Sequence, residues 1–200
     1  MDDAAVNEFF REYVDGFMWS DVEATMKARA NYIAALALLN YTEVLGGLSN
    51  GKLGLRNVAR DCFHDGLSLM EWKGDPNFYK DFKVLLTDGA SPPREADPWA
   101  VFRCGLAHEY FAKGIAGVDN NDTYADPRAC DPNKAGFMWR PMPQDPSGIL
   151  HLRFFTNAYY RDLRAGSDAL HARIMPNGQA RTNFEMAASR ISARVVLKKP

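Results

Sequence analysis

Three residues on one short stretch carry the side chains best suited to chemistry: Arg103, then His108 after four intervening residues, then Tyr110 after one more. Imidazole titrates near neutral pH and moves a proton in either direction. Guanidinium keeps its charge and grips two phosphate oxygens at once. Together they suit attack of an RNA 2′-hydroxyl on its neighbouring phosphate. The histidine would shift a proton on the nucleophile or the leaving oxygen, and the arginine would stabilise charge building on phosphorus-bound oxygen. That chemistry asks for no metal and no cofactor, and no acidic cluster stands near the stretch to hold a cation.

The stretch that must position them, Asp97 to Lys113, reads as a helix. Asp97 suits an N-cap, Pro98 the first helical position, and Lys113 followed by Gly114 the C-terminal end. At about 100° per residue, Arg103 and His108 stand about 140° apart. Trp99, Phe102, Leu106 and Tyr110 form the stripe expected to pack. The small residues Ala100, Cys104 and Ala107 leave a low sector between the cation and the imidazole. One helix alone makes a poor cleft from groups so far apart, so the expectation is completion by the same helix of a second subunit. Glu43 closes a long preceding helix, where the helix dipole disfavours an acid, and Arg103 is its expected partner.

The rest of the chain reads as one mainly α domain over 1–200, an up-and-down bundle with an insertion over about 114–155. Helical spacing runs through 3–19. Ser20 with Glu23 three residues on makes a capping box, opening a helix over about 21–46 whose small residues permit close packing. Helices follow over 55–71, at 76–86, and over 156–175 and 180–196. Residues 114–134 read as a loop. It resembles a calcium loop only loosely, with Tyr124 where glycine and Cys130 where glutamate should stand. Phe137–Arg140 and Ile149–Phe155 read as a β-hairpin, the second strand alternating Leu150, Leu152 and Phe154 with His151 and Arg153.

Composition excludes little but sets a frame. Net charge is −1, yet residues 151–200 hold nine Lys and Arg against three Asp and Glu. That basic quarter suits a polyanion, an acidic partner or a surface laced with ion pairs. The start of the chain is acidic and lacks the basic region of a signal peptide. No apolar run is long enough for a bilayer span, and three widely spaced cysteines make neither a disulfide framework nor a zinc pattern. The expected setting is cytoplasmic, away from membrane.

Arg103-x4-His108-x-Tyr110 resembles the RX4HXY signature of the HEPN domain, best known in toxins of HEPN–MNT toxin–antitoxin systems. The resemblance implies a small helical bundle that dimerises through this helix and acts as a metal-independent endoribonuclease, a hydrolase of host- or phage-defence settings. Its products would be a cyclic phosphate and a 5′-hydroxyl. It implies Arg103 and His108 as catalytic residues. Tyr110 matches a tyrosine that a nucleotidyltransferase-type antitoxin modifies in some pairs, and Glu43 an acid that accompanies the motif. Cys104 stands where the family often has Asn, Asp or His. The alternative is a catalytically silent HEPN-like module that binds RNA, nucleotide or protein through the same seam. Arg164 and His171 also fit a relaxed Arg-x6-His spacing but lack the tyrosine, and are expected to be a decoy.

Overall fold

The computed structural model describes residues 1–86, 94–96, 98–104, 116–119, 131–141, 150–176 and 178–193. It is mainly helical, with a small three-stranded sheet. The chain opens with helix α1, Asp3–Phe9, started by Asp2, whose carboxylate accepts from the Ala5 N–H at 2.8 Å. It passes without a break through a π-helical segment, Phe10–Trp19, into α2, Ser20–Lys27. Val6, Phe10, Val14, Met18, Val22 and Met26 bury one face.

Ser20 therefore does not cap a new helix. Its backbone is helical, and the Glu23 carboxylate that would complete a capping box instead accepts from the Tyr160 hydroxyl at 2.5 Å. The break falls later, at Arg29, where φ is +58°. The Ala30 N–H reaches the Thr25 carbonyl and the Arg29 N–H reaches Met26, a Schellman closure that puts arginine where glycine is usual. Helix α3, Asn31–Asn50, follows, and Gly51 ends it at φ +76°.

Helix α4, Ala59–Leu67, lies against α3 almost backbone to backbone. A Cβ on Gly46 would sit 1.8 Å from the Cys62 carbonyl oxygen, and one on Gly66 would sit 2.0 Å from that of Thr42. The close packing expected from small residues thus has a specific place. The helix expected over 76–86 is one turn only, α5, Phe78–Asp81. Val84–Leu86 instead forms strand β1, antiparallel to β2, Arg94–Ala96. β-branched and leucine residues after Phe82, whose backbone is extended, favour the strand.

The expected hairpin is present. β4, Phe137–Pro141, pairs antiparallel with β5, Leu150–Phe155, placing Phe137 opposite Phe154. The expected loop over 114–134 is corrected in part. Ala116–Asp119 is a strand, β3, parallel to β5, giving the order β3-β5-β4. Only the free edge of β5 makes a strand of so weak a sequence. The calcium-like stretch over 120–130 lies outside the described residues.

Helix α6, Thr156–Ile174, runs antiparallel to the first helix, since Tyr160 meets Glu23 and His171 meets Asn7. Helix α7, Gln179–Ala193, closes the described chain. One buried cluster joins the first helix, α3, α4, the sheet, α6 and α7. Among the described residues no helix is long and apolar enough to cross a membrane.

Candidate functional site

Arg103 ends a π-helical turn, Trp99–Arg103. Pro98 opens it with helical dihedrals, and the Cys104 N–H returns to the Trp99 carbonyl. The wheel drawn at 100° per residue therefore fails over this turn, where hydrogen bonds span five residues. Val101 and Phe102 are both buried, while Trp99 is only half-buried. Phe102 is the anchor. Its ring stacks on Phe137 at 5.3 Å and meets Phe154 at 5.5 Å, and those two rings pack on Tyr159. Each such contact adds about 1 kcal/mol beyond burial, so the sheet and α6 fix the turn that carries Arg103.

The opposing acid comes from α3. Arg103 donates from Nε to the Glu43 Oε2 at 3.3 Å, and its Nη2 lies 3.3 Å from the same oxygen. The side chains are 23% and 22% exposed. Glu43 is not in the last turn of its helix, because α3 runs on to Asn50. The dipole argument for its partner thus does not apply, and the guanidinium alone accounts for the pairing. Neighbours lock Glu43 in place. Thr42 is buried, donates to the Leu38 carbonyl at 2.9 Å and contacts the Tyr159 hydroxyl at 2.7 Å, and Gly46 one turn on carries the α4 crossing.

Both contacts fall on one edge of the guanidinium. Among the described residues its other terminal nitrogen, Nη1, has no hydrogen-bond partner, so it keeps donors for an anion. Cys104 follows as a half-buried thiol. Cys62, on α4, lies close enough to Glu43 to feel its charge. Burial pushes its thiol up, the Asn50 amide works against this, and Glu43 and Asp65 add to the rise. A thiol held protonated is a poor nucleophile. His108 and Tyr110 lie outside the described residues, as do Asp97 and Lys113. The structure thus brings together Arg103, Glu43 and Cys104 of the expected set. Among the described residues no group of three His, Cys, Asp or Glu is placed to hold a metal.

The second Arg–His pair is a structural one. Arg164 donates to the Tyr160 hydroxyl at 2.7 Å, to Glu23 at 3.4 Å, and lies over the Trp19 ring. His171 stacks on Phe10 at 4.3 Å and hydrogen-bonds Asn7 at 2.9 Å. Three further arginines of the last quarter also turn inward. Arg161 binds Asp162 and the carbonyls of Asp131 and Lys134. Arg181, nearly buried, binds Asp3, Glu185 and three carbonyls. Arg190 binds the carbonyls of Gly51 and Leu53. These four arginines brace the fold and do not offer a polyanion surface.

Comparison with protein-family models, with curated proteins and with solved structures returns no match for this chain. The functional reading therefore rests on its own residues.

One buried polar network lies behind the site with little to announce it in residue order. The Tyr79 hydroxyl donates to Asp162 at 2.5 Å and accepts from the Gly136 N–H at 2.6 Å. Burial raises the Asp162 carboxyl above its ordinary value, with Arg161 and Tyr79 opposing. The same burial pushes Tyr79 and Tyr159 upward. The network ties α5, the start of β4 and α6 together behind the Phe102 anchor. An aspartate in the middle of α6 was its only sequence signal.

Proposed function

We propose that the chain is a metal-independent endoribonuclease of the HEPN type. Arg103 and His108 would catalyse attack of a 2′-hydroxyl on the adjacent phosphorus, with loss of the 5′-oxygen. His108 takes the proton from the 2′-hydroxyl or returns one to the departing oxygen. Arg103 stabilises the charge on the non-bridging oxygens. The new P–O2′ bond closes a cyclic phosphate as the P–O5′ bond breaks.

The observation that carries this reading is the Glu43–Arg103 pair. Glu43 holds one edge of a half-buried guanidinium, and among the described residues Nη1 has no partner, an arrangement that suits an anion. Such preorganisation lowers the reorganisation cost as charge develops. Tyr110 and Cys104 are supporting residues in this scheme, and the 97–113 helix is the proposed dimer seam. A nucleotidyltransferase-type antitoxin is the protein partner the scheme suggests.

A second reading draws on the same pair. With Glu43 neutralising Arg103, the seam binds RNA, nucleotide or protein without cleaving. One experiment separates the two. Purified protein is incubated with single-stranded RNA in EDTA, beside His108→Ala. Cleavage lost in the variant supports the nuclease, and binding without cleavage supports the silent module. Cleavage that requires Mg²⁺ sinks the mechanism.

A further inference from the structure

The solvent face of the first helix carries an aromatic ladder. Phe9 lies 4.9 Å from Tyr13, and Tyr13 stacks on Phe17 at 6.1 Å. Phe9 is anchored in the core edge by Phe184 at 5.0 Å. Exposure grows outward from there, to 49% at Tyr13 and 62% at Phe17. Phe17 is the most exposed large apolar side chain among the described residues. The positions beside these rings, Gly16, Ser20 and Ala24, are small and exposed, and a Cβ on Gly16 would meet only its own helix. The face therefore combines protruding rings with low ground, the relief that receives another helix.

Charge selects the occupant. Residues 1–23 hold seven Asp and Glu and one basic residue, Arg11; Arg181 and Arg164, from α7 and α6, pair with Asp3, Asp15 and Glu23, so the acids left to the ladder are Glu8, Glu12 and Asp21. Exposed Glu8 and Glu12 border the ladder and share one exposed cation, Arg11, at 3.4 and 3.8 Å, which leaves one net negative charge among the three; Asp21 stands one turn beyond Phe17, in reach of the Tyr41 hydroxyl at 3.5 Å. An acidic rim repels nucleic acid and an anionic bilayer. It also disfavours its own copy, since a two-fold contact sets one net-negative face against another. What fits is cationic and apolar at once.

We propose that this face docks a cationic amphipathic helix of a partner protein. Its apolar side chains lie on Tyr13 and Phe17, and its Lys or Arg residues meet Glu8, Glu12 and Asp21. The rings supply the affinity, as exposed aromatics do at interface centres, and the acids supply steering and salt dependence. The proposal is independent of the nuclease reading.

The test uses the full chain and a fluorescein-labelled helical peptide with leucine on one face and lysine on the other. Controls are a scrambled peptide of the same composition and a counterpart with glutamate for lysine. Fluorescence anisotropy should show saturable binding of one Leu/Lys peptide per chain, and none of the glutamate peptide. Replacing both Tyr13→Ser and Phe17→Ser should weaken binding by about tenfold or more. Replacing both Glu8→Gln and Glu12→Gln should weaken it less and flatten its salt dependence. Both pairs are exposed, so circular dichroism should show an intact fold. The proposal is overturned if the ring variant binds as tightly as the original chain, or if the scrambled peptide binds equally well. It is also overturned if light scattering shows a dimer that the ring variant converts to monomer, since the occupant is then a second copy.

Discussion

Removing Glu43 should cost stability in proportion to a half-buried ion pair. Two unit charges at 3.3 Å interact with about 5 kcal/mol at an effective dielectric of about 20. Partial desolvation and the ordering of two long side chains offset most of that. Exposed pairs retain about 0.2–1 kcal/mol, while breaking a buried pair costs about 3–5 kcal/mol. Arg103 and Glu43 are about one-fifth exposed, which places them between the two cases. Both contacts share one carboxylate oxygen and are longer than the strongest charged hydrogen bonds, which favours the lower part of the range. The expected coupling is therefore about 1 kcal/mol. The assay is a double-mutant cycle in urea with Glu43→Gln, Arg103→Met and the double variant. Because the pair is partly shielded, high salt should reduce the coupling without abolishing it. A coupling below about 0.3 kcal/mol would mean that Glu43 does not hold Arg103.

Other expectations concern the frame behind the site. Gly46→Ala should destabilise the protein by about 3 kcal/mol or more, because its Cβ overlaps the Cys62 carbonyl and the helices must part. Thermal unfolding measures this, and a change under about 1 kcal/mol would mean that α3 and α4 are not in backbone contact. The raised Asp162 carboxyl binds its proton more readily folded than unfolded, so its contribution is full below the unfolded value and is lost as pH rises through the folded one. Asp162→Asn should flatten that descent in urea titrations between acid and neutral pH. An unchanged slope would show that the carboxyl is not desolvated. Raised Tyr79 and Tyr159 should make stability fall as pH climbs past the ordinary tyrosine range, a fall that Tyr159→Phe lessens.

Much of the frame was legible in residue order, where local signals and tertiary needs agree. Leu152 and Phe154 alternate with Arg153, and β5 buries those two residues. The long helix α6 and the pairing of Arg103 with Glu43 were likewise foreseeable, although the dipole reason for the pairing does not survive the true length of α3. Failures occurred where distant partners overrode local chemistry. Glu23 left its capping box for Tyr160, and the turn came at Arg29 with no glycine to announce it. Ala116–Asp119 became a strand through an available edge on β5, not through its own composition. Within the basic last quarter, Arg161, Arg181 and Arg190 each found carbonyl partners that residue order could not show. The π-helical turn at Trp99–Arg103 had no sequence signature, and a wheel built on α-helical winding misjudged the first half of the motif stretch.

In the proposed reaction Arg103 and His108 together cleave RNA without a metal. Its most direct measurement is the single-turnover rate on a short RNA in EDTA, with the chemistry of the product ends. A 2′,3′-cyclic phosphate and a 5′-hydroxyl are expected, with His108→Ala slowing cleavage by about 10²–10⁴-fold. Arg103→Ala should slow it to a similar extent, as loss of a transition-state charge partner does. Cleavage that survives both substitutions, or that leaves a 5′-phosphate, would contradict it.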